Sequence, residues 1–397
     1  MWDGIIIGGG LAGLLAGIRA AERGKKVLIV SEGVGSLTYS SGVIDLGDAE
    51  RLMNQKSHPY ALLGERVVRS AAEYFQTLFP DYWGNWREPQ FVLTPLGSPR
   101  KAGLIPRGLN TQALSETHKI ILMALEGMKD FFPEVAKSNL LKAYPQAEVV
   151  LHPFRVEAFE AWYTLGKPIT GMDCGKYWRT ASGIETLKGV WKSLDSFEPD
   201  KAVVIFPGLT SVFSQPLREV QSNLPFSVIE MTAFPPSDGG YYLYRGLVQK
   251  FKALGGELLV GSGVKKVELK GKQCHKIIVN SKGKDSEFSA RVFVLATGGI
   301  FGGGIEVTLE AAKEMVFGLP PFVPSGWTNS EFLGEQPYAR MGVETDNQLR
   351  PIDSASKEVL LENVRIIGRM LAHWDPWVER CGGGVSLASG WFAGEQV

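Results

Sequence analysis

The 397-residue sequence has no net charge and no uninterrupted apolar run long enough to span a membrane. Lys+Arg and Asp+Glu both total 42, so charge does not direct the chain to nucleic acid or to an anionic membrane surface. We therefore expect no nucleic-acid partner. The apolar segment near the N-terminus is interrupted by glycines and follows no basic region, so we expect neither a transmembrane helix nor a signal peptide.

Cysteine and histidine are also scarce. The three cysteines, Cys174, Cys274 and Cys381, are far apart and form no C-x-x-C, and there are only five histidines. This pattern excludes a disulfide framework and argues against an iron–sulfur cluster, a structural zinc site or metal-dependent hydrolysis in this chain. A reducing cytoplasm fits such a composition.

Glycine, in contrast, is abundant, and the first glycines follow an apolar run that predicts a buried strand, Ile5–Ile7. Gly8, Gly10 and Gly13 form a G-x-G-x-x-G, then apolar residues at helical spacing predict a helix, and Lys26–Val30 predicts a second strand. The first glycine permits a tight turn, the second lets backbone approach a phosphate, and the third lets the helix lie close to the strand. This order of strand, glycine motif, helix and second strand predicts a Rossmann-like dinucleotide site. The alternative is a glycine-rich turn without a ligand.

Two groups of residues follow the second predicted strand. A Rossmann unit usually has an acid directly after that strand, where it binds the ribose hydroxyls. With the strand ending at Val30, Ser31 occupies that place and Glu32 comes one residue later, which weakens adenosine binding and leaves room for FMN. Ser40, Ser41 and Gly42 can bring donors onto a phosphate or a ring edge; the alternative is an ordinary Ser/Gly loop.

Two further glycine-rich segments are candidate flavin contacts. A predicted strand runs into Ala296, Thr297 and Gly298, where backbone can lie against a flat cofactor. At the other end of the chain, the glycines Gly382, Gly383 and Gly384 lead into a helix predicted over Val385–Ala393. The positive N-terminus of that helix would stabilise the negative charge that builds at the N1/O2 side of a reduced flavin. The simpler interpretation is a glycine linker.

The sequence predicts an α/β fold: a discontinuous, two-part Rossmann-like flavin-binding domain (residues 1–47, 238–310 and 340–397) with a large inserted α+β lobe (48–237). Residues 311–339 are interpreted as a Pro/Gly-rich surface crossing or a docking loop. In the inserted lobe, Thr117–Phe132 predicts a helix. An aromatic-dense patch predicts either the core of the lobe or a protein-docking face; its members are Tyr74, Phe75, Phe79, Tyr82, Trp83, Trp86 and Phe91.

Together, these landmarks resemble the B subunit of the anaerobic glycerol-3-phosphate dehydrogenase, a flavoprotein family. The matching stretches are GGGLAGLLAG (Gly8–Gly17), SSGVIDL (Ser40–Leu46), VLATGGIFGGG (Val294–Gly304) and CGGGVSLA (Cys381–Ala388), with thin likeness across 48–237. The resemblance also implies a cofactor contact at Gly368, after a predicted last strand at Asn363–Ile367.

The resemblance implies a three-subunit complex that oxidises sn-glycerol 3-phosphate to dihydroxyacetone phosphate. In that family, FAD is carried by the catalytic A subunit, FMN is associated with the B subunit, and an iron–sulfur C subunit passes electrons to the membrane and quinone. The glycine fingerprint itself favours FAD. We therefore expect both of these partners, and a cytoplasmic protein or a peripheral complex on the cytoplasmic face of the inner membrane.

Alternatives remain open at this point, because the sequence identifies no catalytic base. Bulky residues over Arg365–His373 depart from the family pattern; Arg369 or His373 could instead supply positive charge to a flavin phosphate. A self-sufficient, fumarate-reductase-like dehydrogenase would need a His/Arg pair, for which His118, His152 and Arg155 are available. A scaffold that has lost its flavin is the third possibility, supported by Ser31 and the crowded 365–373 region.

Overall fold

The structure, a computed structural model, describes residues 1–199, 202–208, 219 and 224–397. In chain order, its strands are β1 (Trp2–Ile7), β2 (Val27–Ser31), β3 (Tyr82–Trp83), β4 (Gln90–Leu93), β5 (Pro99–Ala102), β6 (Ile105–Pro106), β7 (Lys119–Leu125), β8 (Glu148–Phe154), β9 (Ala202–Pro207), β10 (Ser227–Met231), β11 (Glu257–Val260), β12 (Ser262–Lys270), β13 (Gln273–Ser281), β14 (Lys284–Phe288), β15 (Ala290–Leu295), β16 (Ile305–Val307), β17 (Ala312–Glu314) and β18 (Val364–Ile366).

The described α-helices are α1 (Leu11–Glu22), α2 (Ala49–Met53), α3 (Pro59–Leu63), α4 (Glu65–Leu78), α5 (Pro133–Ala143), α6 (Glu160–Thr164), α7 (Gly171–Trp178), α8 (Ala181–Lys192), α9 (Asp238–Ala253) and α10 (Gly382–Glu395). Single 3-10 turns connect several of them, among them Ser36–Tyr39 and Ile300–Gly302. Among the described helices, none combines the length and the apolar character needed to cross a bilayer.

The larger sheet is parallel, with strand order β11-β2-β1-β15-β18. Its central strand β1 is buried over the apolar run Ile5–Ile7. Helix α1 packs against it, and the antiparallel strands β12, β13 and β14 contribute apolar residues to the same core. The sheet draws its strands from three separated segments of the chain, as the discontinuous Rossmann-like prediction requires. The predicted α/β fold class is confirmed.

Helices α1, α9 and α10 pack around this sheet, and their apolar residues share its core. Helix α9 ends just before Gly255 and Gly256, and strands β11 to β15 follow it in the chain. The last predicted strand is shorter than expected, since β18 covers only Val364–Ile366. The closing helix is longer, because α10 already begins at Gly382.

A second parallel sheet occupies the middle of the chain, in the order β10-β9-β7-β8. A parallel sheet with helices on both faces is an α/β arrangement, so this part is not the α+β lobe expected for the insertion. Helix α5 packs on one side of the sheet, and the core of the other side includes Trp178 of α7 and Leu187 of α8.

The prediction of a helix over Thr117–Phe132 is wrong, because this segment contains strand β7. Ile120, Ile121, Leu122 and Met123 are all fully buried, and they alternate between the cores on the two faces of the second sheet. A central parallel strand reads as a continuous apolar run, so its residues also fit a helical period. Length and period alone could not separate the two structures.

The aromatic-dense patch contributes to the core of the larger sheet. Phe75, Tyr82 and Trp86 are buried there, and the rings of Phe75 and Tyr82 lie edge to face with a centroid distance of 4.9 Å. Phe91 alone of the seven is exposed, at 45%. Since α2, α3 and α4 also pack on this core, we propose that the separate lobe begins near β7 instead of at residue 48.

Candidate functional site

The first glycine turn links β1 to α1 and is built for close packing. Gly8 has a φ of +118°, which only glycine adopts readily, and a Cβ there would overlap the backbone of Ala296. A Cβ at Gly13 would overlap the carbonyl oxygen of Gly8. These two glycines therefore hold helix against strand.

Gly10 differs from both because the space beside it is open. A Cβ at Gly10 would meet nothing within 4 Å, and the residue has an ordinary φ of −80° as the N-cap of α1. No side chain caps the helix and no acid lies in its first turn. The free N–H groups of that turn and the helix dipole therefore form an anion site suited to a phosphate.

Ser31 and Glu32 have different positions from those expected. Strand β2 extends to Ser31, so Glu32 is the residue directly after the strand, and the predicted strand end at Val30 was one residue short. The Ser31 hydroxyl is buried, where it accepts a hydrogen bond from the Gly9 N–H (3.0 Å) and donates one to the Gly33 carbonyl (2.7 Å).

The Glu32 carboxylate is exposed and lies beside β12, since a Cβ at Gly263 would come within 2.7 Å of its Oε1. Within the described residues it makes no hydrogen bond or ion pair. Glu32 thus lies directly after the second strand, and its carboxylate is free to accept hydrogen bonds from ribose hydroxyls.

The Ser40–Gly42 loop packs against the N-terminus of α9. The Ser40 hydroxyl donates to the Leu37 carbonyl (2.8 Å) and accepts from the Gly42 N–H, while the Ser40 carbonyl accepts from Ser237. Gly42 has a φ of +80°, and its carbonyl accepts a 2.6 Å hydrogen bond from Tyr82. The Ser40 side chain therefore fixes the loop, whereas the Ser41 hydroxyl makes no hydrogen bond to any described residue and is available to a ligand.

The turn after β15 lies directly beside the first glycine turn. The Ala296 N–H donates to the Ile7 carbonyl at 2.7 Å, so the turn continues from the strand that pairs with β1. Gly298 has a φ of +79°. The Thr297 hydroxyl oxygen is buried and has no hydrogen-bond partner among the described residues, which is unusual for a buried polar atom.

Helix α10 begins against the segment after the Ser40–Gly42 loop. The Gly384 N–H donates to the Asp45 carbonyl (2.9 Å), and a Cβ at Gly383 would lie 3.0 Å from the Asp45 nitrogen. Within the described part of the chain, the N–H groups of Gly382 and Gly383 have no acceptor. The positive end of α10 thus keeps free donors near the Ser40–Gly42 loop.

The residues around β18 are engaged by protein groups. The Gly368 N–H donates to the buried Ser389 hydroxyl at 2.9 Å. Arg369 donates to the carbonyls of Met341 and Ala339, and burial lowers its pKa to about 10. His373 contacts Glu344 at 2.6 Å. We therefore do not propose Arg369 or His373 as phosphate ligands.

A buried polar cluster lies immediately before α10 and was not predicted. His58 Nε2 is 3.3 Å from a Glu379 carboxylate oxygen and 3.7 Å from the Cys381 sulfur. Its Nδ1 accepts a hydrogen bond from the Tyr60 N–H (3.0 Å), so Nε2 carries the proton and donates to Glu379. His58 and Cys381 are 323 residues apart, so no sequence pattern could have joined them.

Burial and electrostatics set the pKa values in this cluster. Burial, with the nearby Glu379 and Asp375 carboxylates, raises the pKa of the Cys381 thiol, which disfavours a reactive thiolate. Burial alone would raise the pKa of Glu379, but hydrogen bonds from His58 and from the Asp375 N–H lower it. Because His58 Nε2 holds its proton, the three residues do not form a metal ligand set as they stand.

A small cleft lies between the Ser40–Gly42 loop and the carboxyl ends of the second sheet. Its described lining includes Ser41, Gly171, Glu230 and Asp238, but not the predicted histidine and arginine candidates. His152 Nε2 contacts the Ser193 hydroxyl at 2.8 Å, and Arg155 pairs with Glu126 and Glu160 on the surface. These contacts give the fumarate-reductase-like alternative no support.

The structure thus offers a chain of groups suited to a flavin nucleotide: Glu32 for a ribose, the open face of Gly10 for phosphate, and the N-terminus of α10 for a ring. The Thr297 hydroxyl, which has no partner among the described residues, lies on the turn that packs against Gly8. The model of one protein family, described as FAD binding domain, matches residues 3–156 and 215–385 of the chain.

Several full-length relatives share one name, the B subunit of anaerobic glycerol-3-phosphate dehydrogenase. The relative from Yersinia enterocolitica is 29% identical over 425 residues, covering 100% of this chain and 98% of that protein. The protein of the same name from Pectobacterium atrosepticum is 28% identical over 434 residues, with the same coverage. The resemblance deduced from the sequence is confirmed.

Among solved structures, the 3-ketosteroid delta1-dehydrogenase from Sterolibacterium denitrificans aligns over 100% of this chain and 99% of its own. The identity is 12% and the TM-score is 0.46.

Proposed function

Because the chain belongs to the FAD binding domain family, we propose that it is the flavin-binding B subunit of an anaerobic glycerol-3-phosphate dehydrogenase. The observation that supports this most is the open face of Gly10 at the uncapped start of α1, beside the free Glu32. The relatives' shared name and their coverage of the whole chain support the substrate, sn-glycerol 3-phosphate, and the existence of partner subunits.

We propose FAD instead of FMN as the cofactor. FMN ends at its phosphate, whereas FAD continues into an adenosine whose ribose needs an acceptor at the end of the second Rossmann strand. Glu32 is that acceptor, because β2 ends at Ser31 and the Glu32 carboxylate has no partner among the described residues. Ser31, whose place in the sequence argued against adenosine, instead stabilises the first turn.

A bound flavin would supply the ability to accept an electron pair and release single electrons. This chain's residues would do the rest. The N–H groups at the start of α1 would neutralise phosphate charge, and those of Gly382 and Gly383 would favour negative charge on the ring. The Asp45–Gly384 hydrogen bond would keep α10 oriented toward that ring.

The proposed partners are two. One is an FAD-containing catalytic subunit, the A subunit of the complex; the other is an iron–sulfur subunit, the C subunit, which passes electrons to quinone at the membrane. In the structure Cys174 lies in α7, Cys274 in β13 and Cys381 before α10, each buried and free of disulfide bonds. This distribution supports a chain that depends on a partner for iron–sulfur centres.

Reconstitution tests the complex. The chain is purified alone and together with the catalytic and iron–sulfur subunits of the same organism, and reduction of a quinone analogue by sn-glycerol 3-phosphate is measured. We expect activity only when all three subunits are present, with sn-glycerol 1-phosphate inactive. Substrate-dependent dye reduction by this chain alone would contradict an electron-transfer role, and an inactive full complex would contradict the substrate.

Glu32 gives a sharper test of the cofactor. Glu32→Ala should weaken FAD binding about tenfold or more, because the ribose loses a charged acceptor, while FMN binding changes little. Exposed Glu116→Ala is the matched control. Flavin fluorescence titration measures both affinities. Equal loss of FAD and FMN affinity would refute the proposed role of Glu32.

A further inference from the structure

An exposed apolar surface borders the proposed flavin-ring end of the site. We call it the 301–377 surface; its largest members are Phe301, Leu309, Phe332, Leu333 and Trp377. Phe332 and Leu333 are each 91% exposed, and Phe301 is 73% exposed. A cluster of exposed large apolar side chains of this kind usually marks an interaction site.

Ring contacts and backbone hydrogen bonds join the parts of this surface. The Phe301 ring lies edge to face with Trp377 at 5.1 Å and 6.4 Å from the Tyr338 ring. Tyr338 is in turn hydrogen-bonded through its N–H to the Trp327 carbonyl, at the base of the loop that presents Phe332. The hairpin that presents Leu309 is joined to Gly304 through the Met315 N–H.

The surface is connected to the turn after β15 and to the N-terminus of α10, which is proposed to contact the flavin ring. Phe301 lies in the 3-10 turn that follows Gly298, and Trp377 lies shortly before the N-terminus of α10. A protein bound on this surface would therefore approach the ring end of the cofactor and not its adenosine end.

The charge around the 301–377 surface is mainly negative. Glu306, Glu310, Glu331 and Glu335 are exposed there, against Lys313, the exposed Arg380 near Trp377, and an Arg340 that lies 4.0 Å from Glu335. An acidic edge repels the anionic leaflet of a membrane and also a second copy of the same surface. It attracts a partner whose own apolar patch is edged by Lys and Arg.

We propose that the 301–377 surface docks the subunit that accepts electrons from this chain, through an apolar patch edged with Lys and Arg. The proposal rests on the proposed function, because electron transfer between subunits requires their redox centres to be close. The apolar centre supplies most of the affinity, and the acidic edge sets orientation and salt dependence.

Paired variants of the full chain test the surface. Phe332→Ser with Leu333→Ser removes apolar area, and Glu306→Lys with Glu310→Lys reverses charge at the edge. The matched controls lie in other parts of the chain: Leu165→Ser, at a leucine that is 79% exposed, and Glu116→Lys, at an exposed acid. Calorimetry measures affinity for the purified iron–sulfur subunit, then for the purified catalytic subunit, while flavin content is measured on each isolated variant.

Both variants should lose about tenfold or more in affinity for the iron–sulfur subunit, while the controls bind normally and flavin content is unchanged in all. Added salt should weaken wild-type binding. Unchanged affinity for the iron–sulfur subunit overturns the proposal. This holds even if the variants lose binding to another partner, such as the catalytic subunit, anionic vesicles or a second copy of the chain. A chain without flavin, or an inactive complex, would refute the proposed function separately, since this binding is measured without substrate.

Discussion

Gly10 and Gly13 belong to one motif, but they serve different physical purposes. Gly13 is required for folding, because any Cβ would overlap the Gly8 carbonyl. Gly10 has open space beside it and an ordinary backbone conformation, so its lack of a side chain serves only a ligand. Folding and cofactor binding can therefore be separated within a single turn.

We expect Gly10→Val to change the free energy of unfolding by less than about 1 kcal/mol, because the side chain enters open space. The same variant should lose FAD binding, since the side chain occupies the place of the phosphate. Gly13→Val should instead lower stability by about 1–3 kcal/mol or prevent folding. Chemical denaturation and flavin titration check both; a stable Gly10→Val chain with wild-type FAD affinity would exclude phosphate binding at this turn.

Glu379 should make the stability of the chain depend on pH. Its pKa is lowered in the folded state from an ordinary value of 4.5, because His58 and the Asp375 N–H outweigh the effect of burial. A carboxyl with a depressed folded pKa stabilises the fold above its unfolded pKa, and the contribution is lost as the pH falls through the folded pKa.

Glu379→Gln should therefore reduce the free energy of unfolding by about 1–3 kcal/mol at pH 7. The difference from wild type should stay constant down to about pH 4.5 and shrink below it. Urea unfolding at a series of pH values measures it, with exposed Glu116→Gln as the control. A difference that widens on acidification would mean that the pKa shift has the opposite sign.

The residues of the site were predictable to the extent that they lie in one continuous motif. The glycines of the first turn were found because spacing and context are local. The proposed role of Glu32 was harder to predict, because the end of β2 was placed one residue too early, which is a common error in locating strand ends. The His58–Glu379 pair could not be predicted from the sequence, since only the tertiary fold brings the start of α3 close to the segment before α10.

Among the elements, α10 illustrates how tight packing positions a helix terminus. A Cβ at Gly384 would overlap the Tyr60 hydroxyl, which donates a 3.0 Å hydrogen bond to the Leu46 carbonyl. The helix can therefore begin here only if residue 384 has no side chain. The sequence predicted this helix but placed its start at Val385, because three glycines resemble a linker.

Gly384→Ala should lower stability by about 1–3 kcal/mol through this overlap. Tyr60→Phe alone should cost about 1 kcal/mol through loss of the hydrogen bond. The double variant should be more stable than the sum of the two, with a coupling energy of about 1–2 kcal/mol, because removing the hydroxyl makes room for the methyl group. Simple additivity in the thermodynamic cycle would argue against this packing.

Strand β7 was mistaken for a helix for a physical reason that applies to any central parallel strand. Both of its faces are covered, so Ile120–Met123 shows no alternation of apolar and polar residues. Because both faces are buried, the sequence of this strand lacks the alternating pattern by which a strand is recognised. The strands of the larger sheet were easier to predict from the sequence, because glycines and polar turns mark their ends.

At the scale of the whole molecule, a buried ion pair joins the second lobe to the larger one. Arg179, at the end of α7, makes a bidentate contact with Asp238 at the start of α9, with distances of 2.6 and 2.9 Å. The guanidinium also lies over the Tyr242 ring at 3.7 Å. Both side chains are largely buried, so the pair specifies how the lobes are arranged.

Arg179→Ala should lower the free energy of unfolding by about 3–5 kcal/mol, because it removes one partner of a buried ion pair. Arg155→Ala, which breaks exposed pairs with Glu126 and Glu160, should cost less than about 1 kcal/mol. Denaturant unfolding of both variants gives the comparison. A similar loss of unfolding free energy in the two variants would show that the interlobe ion pair stabilises the protein no more than the exposed pairs do.

The central claim is that this chain holds FAD on the first glycine turn. The most direct measurement is the amount and identity of the flavin released from the chain after purification and loading with an equimolar FAD/FMN mixture. We predict close to one FAD per chain and almost no FMN, with the Gly10→Val variant empty. A colourless wild-type chain, or one that retains FMN in preference to FAD, would contradict the claim.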